Sequence, residues 1–116
     1  MSVANVISTP WVTDDFRRAL KAQYNASLRS FTGFWAVIDS RSGLYVGRVE
    51  SVNPDHGDIV INSVERIDVN LTSNKVWIRG SQVRAVVVLD GKNKDAAVAV
   101  ARKMLPHYLD RRGEEL

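Results

Sequence analysis

The sequence predicts a mainly β fold, a small and strongly bent five-stranded antiparallel barrel with an N-terminal helix and a C-terminal helical segment. Three observations lead there. From Phe34 to Leu89, apolar residues run in short blocks of strand length, separated by clusters of Gly, Ser, Asn, Asp and Pro. Upstream, Phe16, Leu20, Tyr24 and Leu28 recur every fourth residue, and downstream Asp95 opens a second stretch of helical pattern. Gly47 stands inside the second apolar block, where it weakens pairing but lets a strand coil sharply or another backbone approach.

The N-terminal helix is expected to start at Thr13, whose hydroxyl can cap free N–H groups while Asp14 and Asp15 complement the positive helix end. Its apolar stripe packs on the sheet, and Arg17, Arg18, Lys21 and Arg29 lie on the other side, either solvated or on phosphate. Phe34 to Asp39 is rich in β-formers and ends at Ser40-Arg41-Ser42-Gly43, so it reads as a first strand entering a hairpin. The second strand alternates, with Tyr45, Gly47, Val49 and Ser51 on one face and Arg48 and Glu50 on the other. After the turn formers Asn53 to Asp58, the run Ile59-Val60-Ile61 suits a strand buried on both faces that continues toward Val69. Asn70 to Asn74 is polar enough for a hairpin loop. Lys75 to Ile78 and Val83 to Leu89 then form the last two strands around Arg79-Gly80-Ser81-Gln82, where Gly80 is expected to permit a positive φ. The segment from Asp95 to Leu105 is helical, Pro106 should end or kink it, and Arg111 to Leu116 reads as a frayed tail. One domain is expected: an N-terminal helical segment over 1–32, a barrel over 33–90 and a C-terminal helical extension over 91–116.

A chain of 116 residues, 45% hydrophobic and 25% charged, has room for one modest core. With no cysteine it has neither a disulfide framework nor thiolate chemistry, which fits a cytoplasmic protein. No secretory signal is visible, and the apolar runs Val86 to Leu89 and Ala96 to Ala101 are too short to span a bilayer, so no membrane partner is expected. Enzyme readings fare poorly. His56 and His107 are far apart, no metal-ligand spacing or Gly-rich phosphate loop occurs, and Asp55, His56 and Asp58 read as a polar turn. No enzyme activity and no cofactor are expected. The net charge of +3 leans mildly toward polyanions. Ala85 to Leu89, apolar on both faces yet in the last strand of an open sheet, needs something to cover its edge.

Two segments carry a family resemblance. Leu44-Tyr45-Val46-Gly47-Arg48-Val49-Glu50-Ser51-Val52-Asn53, followed by His56-Gly57-Asp58-Ile59-Val60-Ile61, is similar to the first signature of the Sm-like (Sm/LSm) RNA-binding family, and Ile78-Arg79-Gly80 with Val83 resembles the second. They occur in the family's order and span Phe34 to Asp90. The likeness is to the archaeal and eukaryotic branch, since the bacterial branch has Lys-His where Ile78-Arg79-Gly80 stands.

The resemblance implies a homo-oligomeric ring of about five to seven subunits, in which the fourth strand of one subunit pairs with the fifth of the next. It also implies single-stranded RNA at the pore. His56 and Arg79 fall on the positions that stack on an unstacked base from two sides, and Asp58 on the family's base-reading asparagine. An imidazole and a guanidinium both offer flat faces to a base. A ring would also multiply each inward arginine. The chain departs from the pattern in a first turn one residue longer, with Asn53 in place of aspartate, and in Asp58 itself. A carboxylate only accepts hydrogen bonds, so it should read uracil poorly and suit the N1–H and N2–H edge of guanine. Alternatively, Asp58 pairs with Arg79 and fills the pocket. A second reading keeps barrel and ring as a non-RNA scaffold or protein–protein assembly module. Val98, Ala101, Met104, Leu105 and Tyr108 then dock a protein partner, unless they cover the barrel's own core.

Overall fold

The computed structural model describes residues 18, 19, 23, 30–53 and 55–115. Five strands, β1 (Trp35–Ser40), β2 (Gly43–Val52), β3 (Ile59–Arg66), β4 (Leu71–Ile78) and β5 (Val83–Leu89), precede one long helix, α1 (Lys94–Glu115). They form a single sheet in the order β4-β3-β2-β1-β5, with every neighbouring pair antiparallel. Within the expected N-terminal helix, Arg18, Ala19 and Gln23 are helical and exposed, while Thr13 and the stripe Phe16, Leu20, Tyr24 and Leu28 lie outside the described residues. Among the described residues, no helix is long and apolar enough to cross a membrane.

Strand β2 is the bend of the barrel. Its register against β3 shifts twice, between Val46 and Arg48 and between Val49 and Ser51, so the strand coils around Gly47. A β-carbon on Gly47 would lie 2.9 Å from the Ile61 side chain and 3.2 Å from the Asn62 carbonyl oxygen, so β3 can cross here only because glycine is present.

The sheet buries two separate apolar clusters. Ala36, Ile38, Tyr45, Val49, Val52, Ile59, Ile61, Val64 and Ile78 fill the barrel, with Phe31 packed against them from the incoming segment. On the outer face, Val37, Leu44 and Val46 meet Ala97, Ala101 and Tyr108 of α1. The doubly buried strands are therefore β1, where Ala36 and Ile38 point inward and Val37 outward, and the first half of β2, where Tyr45 points inward and Leu44 and Val46 outward. Ile59-Val60-Ile61, expected to be buried on both faces, is buried on one, and Val60 is half-exposed because α1 covers β1 and β2 instead.

Three further expectations are corrected. The polar run Asn70 to Asn74 is not a loop: the turn sits at 67–70, closed by the Asn70 N–H donating to the Arg66 carbonyl at 2.9 Å, and Leu71 already pairs with Arg66. Thr72, Ser73 and Asn74 are polar because they lie exposed on an edge strand.

Pro106 does not end the helix, which continues to Glu115. The side chain of Pro106 is exposed, opposite buried Tyr108, so the carbonyl it leaves unbonded faces water.

The tail is not frayed at Arg111 and Arg112, because each reaches a buried carboxylate of the barrel. Arg111 bridges to Asp39 at 3.1 Å and Arg112 to Asp68 at 3.6 Å, with both acid side chains 3% exposed or less. Arg84 also holds Asp39 at 3.2 Å, and Arg66 holds Asp68 at 2.6 Å. Burial alone would push the Asp68 carboxyl up. The Arg66 guanidinium and the Leu44 N–H outweigh it and hold the group below its ordinary range. Asn93 caps the other end, its Oδ1 accepting from the Ala96 N–H at 3.1 Å. Of the stripe Val98, Ala101, Met104, Leu105 and Tyr108, Ala101 and Tyr108 are buried against the chain's own barrel, and Val98, Met104 and Leu105 are packed there in part.

Candidate nucleic-acid interface

The β2–β3 turn is built on Asn53. Its Oδ1 accepts from the N–H groups of Asp55 at 2.8 Å and His56 at 3.2 Å. Its backbone N–H donates to the Asp58 carbonyl, and its carbonyl accepts from Gly57, each at 2.8 Å. An asparagine oxygen can do this as well as an aspartate can, so the exchange at Asn53 leaves the turn closed. Gly57 turns the chain with a φ of 72°, a left-handed conformation that glycine adopts freely. His56 is exposed on this turn.

The β4–β5 connection is a single 3-10 turn over Gly80–Gln82, preceded by Arg79 in extended conformation. It rests directly on the β2–β3 turn. The Gly80 N–H donates to Asp58 Oδ1 at 2.7 Å, and a β-carbon on Gly80 would overlap the His56 carbonyl oxygen. Gly80 is therefore required by close approach, not by the positive φ expected of it, since its φ is not among the positive ones. The Gln82 carbonyl accepts from the Arg41 N–H at 2.9 Å, which ties the β1–β2 turn into the same cluster.

Of the three residues singled out in the sequence, the structure joins Asp58 to the loop of Arg79 through the Gly80 backbone, and it holds the His56 main chain against the same glycine. Asp58 is half-buried, with one carboxylate oxygen on Gly80 rather than on the Arg79 guanidinium; His56 and Arg79 are both exposed. Sequence reasoning missed Arg41. It is exposed in the β1–β2 turn and brought beside the Arg79 loop by its backbone, a contact with no local sequence signal. Next to these loops, a cleft of about 260 Å³ is lined by Ser51, Val52, Asn53, Asp58, Val60 and Trp77. Among the described residues Asp58 is the one charged residue lining it, so the cleft suits uncharged or donor-bearing groups rather than phosphate.

No family model and no curated protein matches the chain. Solved structures do. The P. aerophilum SmAP1 heptamer is 22% identical, with 57% of this chain and 92% of that one covered at a TM-score of 0.50. A heptameric archaeal Sm protein is 21% identical over 55% of this chain and 97% of its own, with a TM-score of 0.49. A Pyrococcus abyssii Sm protein in complex with a uridine heptamer is 20% identical over 55% and 94%, again at 0.49. The strand order β4-β3-β2-β1-β5, the bend at Gly47 and the match to the P. aerophilum protein identify the fold of this chain as the Sm fold.

Proposed function

We propose that copies of this chain join head to tail, the edge of β4 on one against the edge of β5 on the next, into a ring that binds single-stranded RNA at its pore. The observation that carries the reading is the Asp58–Gly80 hydrogen bond. It fuses the β2–β3 and β4–β5 turns into one surface from which exposed His56 and Arg79 project. In this reading, Arg79 and His56 stack on an unpaired base, Arg79 and Arg41 neutralise phosphate, and Asp58 presents an acceptor-only edge that favours guanine over uracil. Ring formation is supported by the two sheet edges, unpaired on their outer sides among the described residues, and by the heptameric state of the P. aerophilum protein whose fold it shares.

Native mass spectrometry of the wild type with guanosine-, adenosine- and uridine-rich oligonucleotides tests both halves. A discrete ring that takes up one oligonucleotide, with affinity falling steeply as salt rises, is expected. Arg79→Ala should keep the ring and lose at least about tenfold in affinity with a shallower salt slope. A ring that ignores all three oligonucleotides would overturn the RNA reading, and a monomer would overturn the assembly.

A further inference from the structure

Trp77 is the most exposed large apolar residue among those described, at 69%, and it stands at an edge of the sheet. Ile78 and, in part, Val76 pack into the barrel, so the alternation of β4 turns Trp77 and Lys75 to the outer face. At the opposite edge, α1 packs over β1 and β2 and leaves the outer side of β5 only partly covered: Val87 packs toward α1 yet is half-exposed.

The rotation of α1 is fixed by its two arginines. Arg112 goes to Asp68, which binds the β2 backbone at Leu44, and Arg111 goes to Asp39, which pairs with Ala85 of β5. The helix flank on the Arg111 side, two and three turns back at Met104 and Val100, therefore borders β5. Both residues are half-buried. Ala85 and Val87 of β5 and Val100 and Met104 of α1 thus border an apolar channel along one free edge, whose end beside Ala85 is marked by Arg84, on Asp39 at 3.2 Å and over the Tyr108 ring.

We propose that Trp77 of one copy seats in the channel between β5 and α1 of the next copy. The inference rests on the ring reading and adds the helix to its interface. Rotation about a ring axis preserves height and radius. Within a chain, the end of β4 and the start of β5 meet at the loop 79–82, so the end of β4 on one copy meets the start of β5 on the next. A β4 edge docked there continues the outer face of the neighbour's sheet. Trp77 then falls beside Ala85 and Met104, and Lys75, two residues back, falls farther along, beside Val100. A flexible thioether next to an indole is a favourable pairing.

The natural chain has no cysteine, so paired cysteines report this contact without background. Trp77→Cys with Met104→Cys, and separately Lys75→Cys with Val100→Cys, which keeps the tryptophan, would be oxidised mildly and run on non-reducing gels. Native mass spectra of the wild type and each variant would be recorded alongside. A reductant-sensitive ladder ending at the ring's subunit number, absent from all four single-cysteine variants, is expected for at least the second pair. A ring in the native spectra with neither pair cross-linking beyond the single-cysteine controls would overturn the seat of Trp77 and leave the ring standing. A wild type without a ring would overturn both.

Discussion

Asp58 and Gly80 are 22 positions apart in sequence and joined by a 2.7 Å hydrogen bond from backbone to carboxylate. A charged acceptor on a main-chain N–H is among the stronger hydrogen bonds in proteins, and this one is the seam between the two turns that carry His56 and Arg79. The residue that resembles a base reader is therefore also a structural clamp. One of its oxygens is committed to the protein before any ligand arrives.

Asp58→Ala should separate the turns, lowering thermal stability by about 1–3 kcal/mol through the unsatisfied Gly80 N–H and weakening oligonucleotide binding as Arg79 loses its fixed base. Asp58→Asn keeps an acceptor oxygen for Gly80 and adds an amide donor. It should retain most of the stability and shift preference toward uridine-rich oligonucleotides. Thermal melts with a three-oligonucleotide competition assay separate the two roles. Equal losses in both variants would show that the negative charge itself, not the acceptor, holds the loops.

Gly80→Ala should be severe. The added β-carbon meets the His56 carbonyl oxygen and the Gly57 carbonyl carbon, main-chain atoms that cannot swing aside as a side chain would. One of the turns must move, at a cost of about 1–3 kcal/mol, and the Asp58 hydrogen bond goes with it. Amide spectra should show the largest changes at residues 55–58 and 79–82, with the far end of the barrel little changed. Gly113, with nothing near a new β-carbon, is the matched control.

The strands and turns of the barrel were legible because their signals are local. Turn clusters bound every strand except at β3–β4, where the polar run belongs to an exposed edge strand, and Gly47 marked the bend that the register shifts confirm. Helix α1 was legible only at its start. Its second half depends on Asp39 and Asp68, two acids buried in the barrel more than forty positions away, and nothing around Arg111 and Arg112 announces them. Burial on both faces falls on β1 and the first half of β2 rather than on Ile59-Val60-Ile61 for the same reason: which run is doubly covered depends on where α1 lies. At the candidate site, the signatures single out His56, Asp58 and Arg79, and the structure brings the two turns that carry them together. The engagement of Asp58 with a backbone amide and the proximity of Arg41 could not be read from the signatures, because both are set by the closing of three turns on one another.

Acid should release the end of α1. The Asp68 carboxyl is held below its ordinary range, so the folded chain binds this proton less readily than the unfolded one. Its contribution is complete above the ordinary carboxylate value of about 4 and is lost as pH falls through the folded value. Helical signal by circular dichroism should decline in acid before the sheet melts. Asp68→Asn should flatten that acid limb while lowering stability near neutrality by about 1–3 kcal/mol, since Arg66 and Arg112 lose their common partner. An unchanged acid limb in the variant would show that Asp68 does not carry the effect.

Pro106 offers a test in the opposite direction. It stands inside α1, where it gives up the N–H that would bond back to Arg102, and its ring crowds that same carbonyl. Its side chain is exposed while Tyr108, two residues on, is 1% exposed against the outer cluster. Nothing in the packing therefore requires the proline, and what carries the helix past it is the burial of Tyr108 and the grip of Arg111 and Arg112. Pro106→Ala should restore the bond and raise stability by about 1–3 kcal/mol, seen as a higher Tm and stronger helical signal. Combined with Asp68→Asn, the alanine should recover much of the lost helicity, because a continuous helix depends less on its distal anchors. A lower Tm for Pro106→Ala alone would show that the proline sets the angle at which Arg111 and Arg112 reach the barrel.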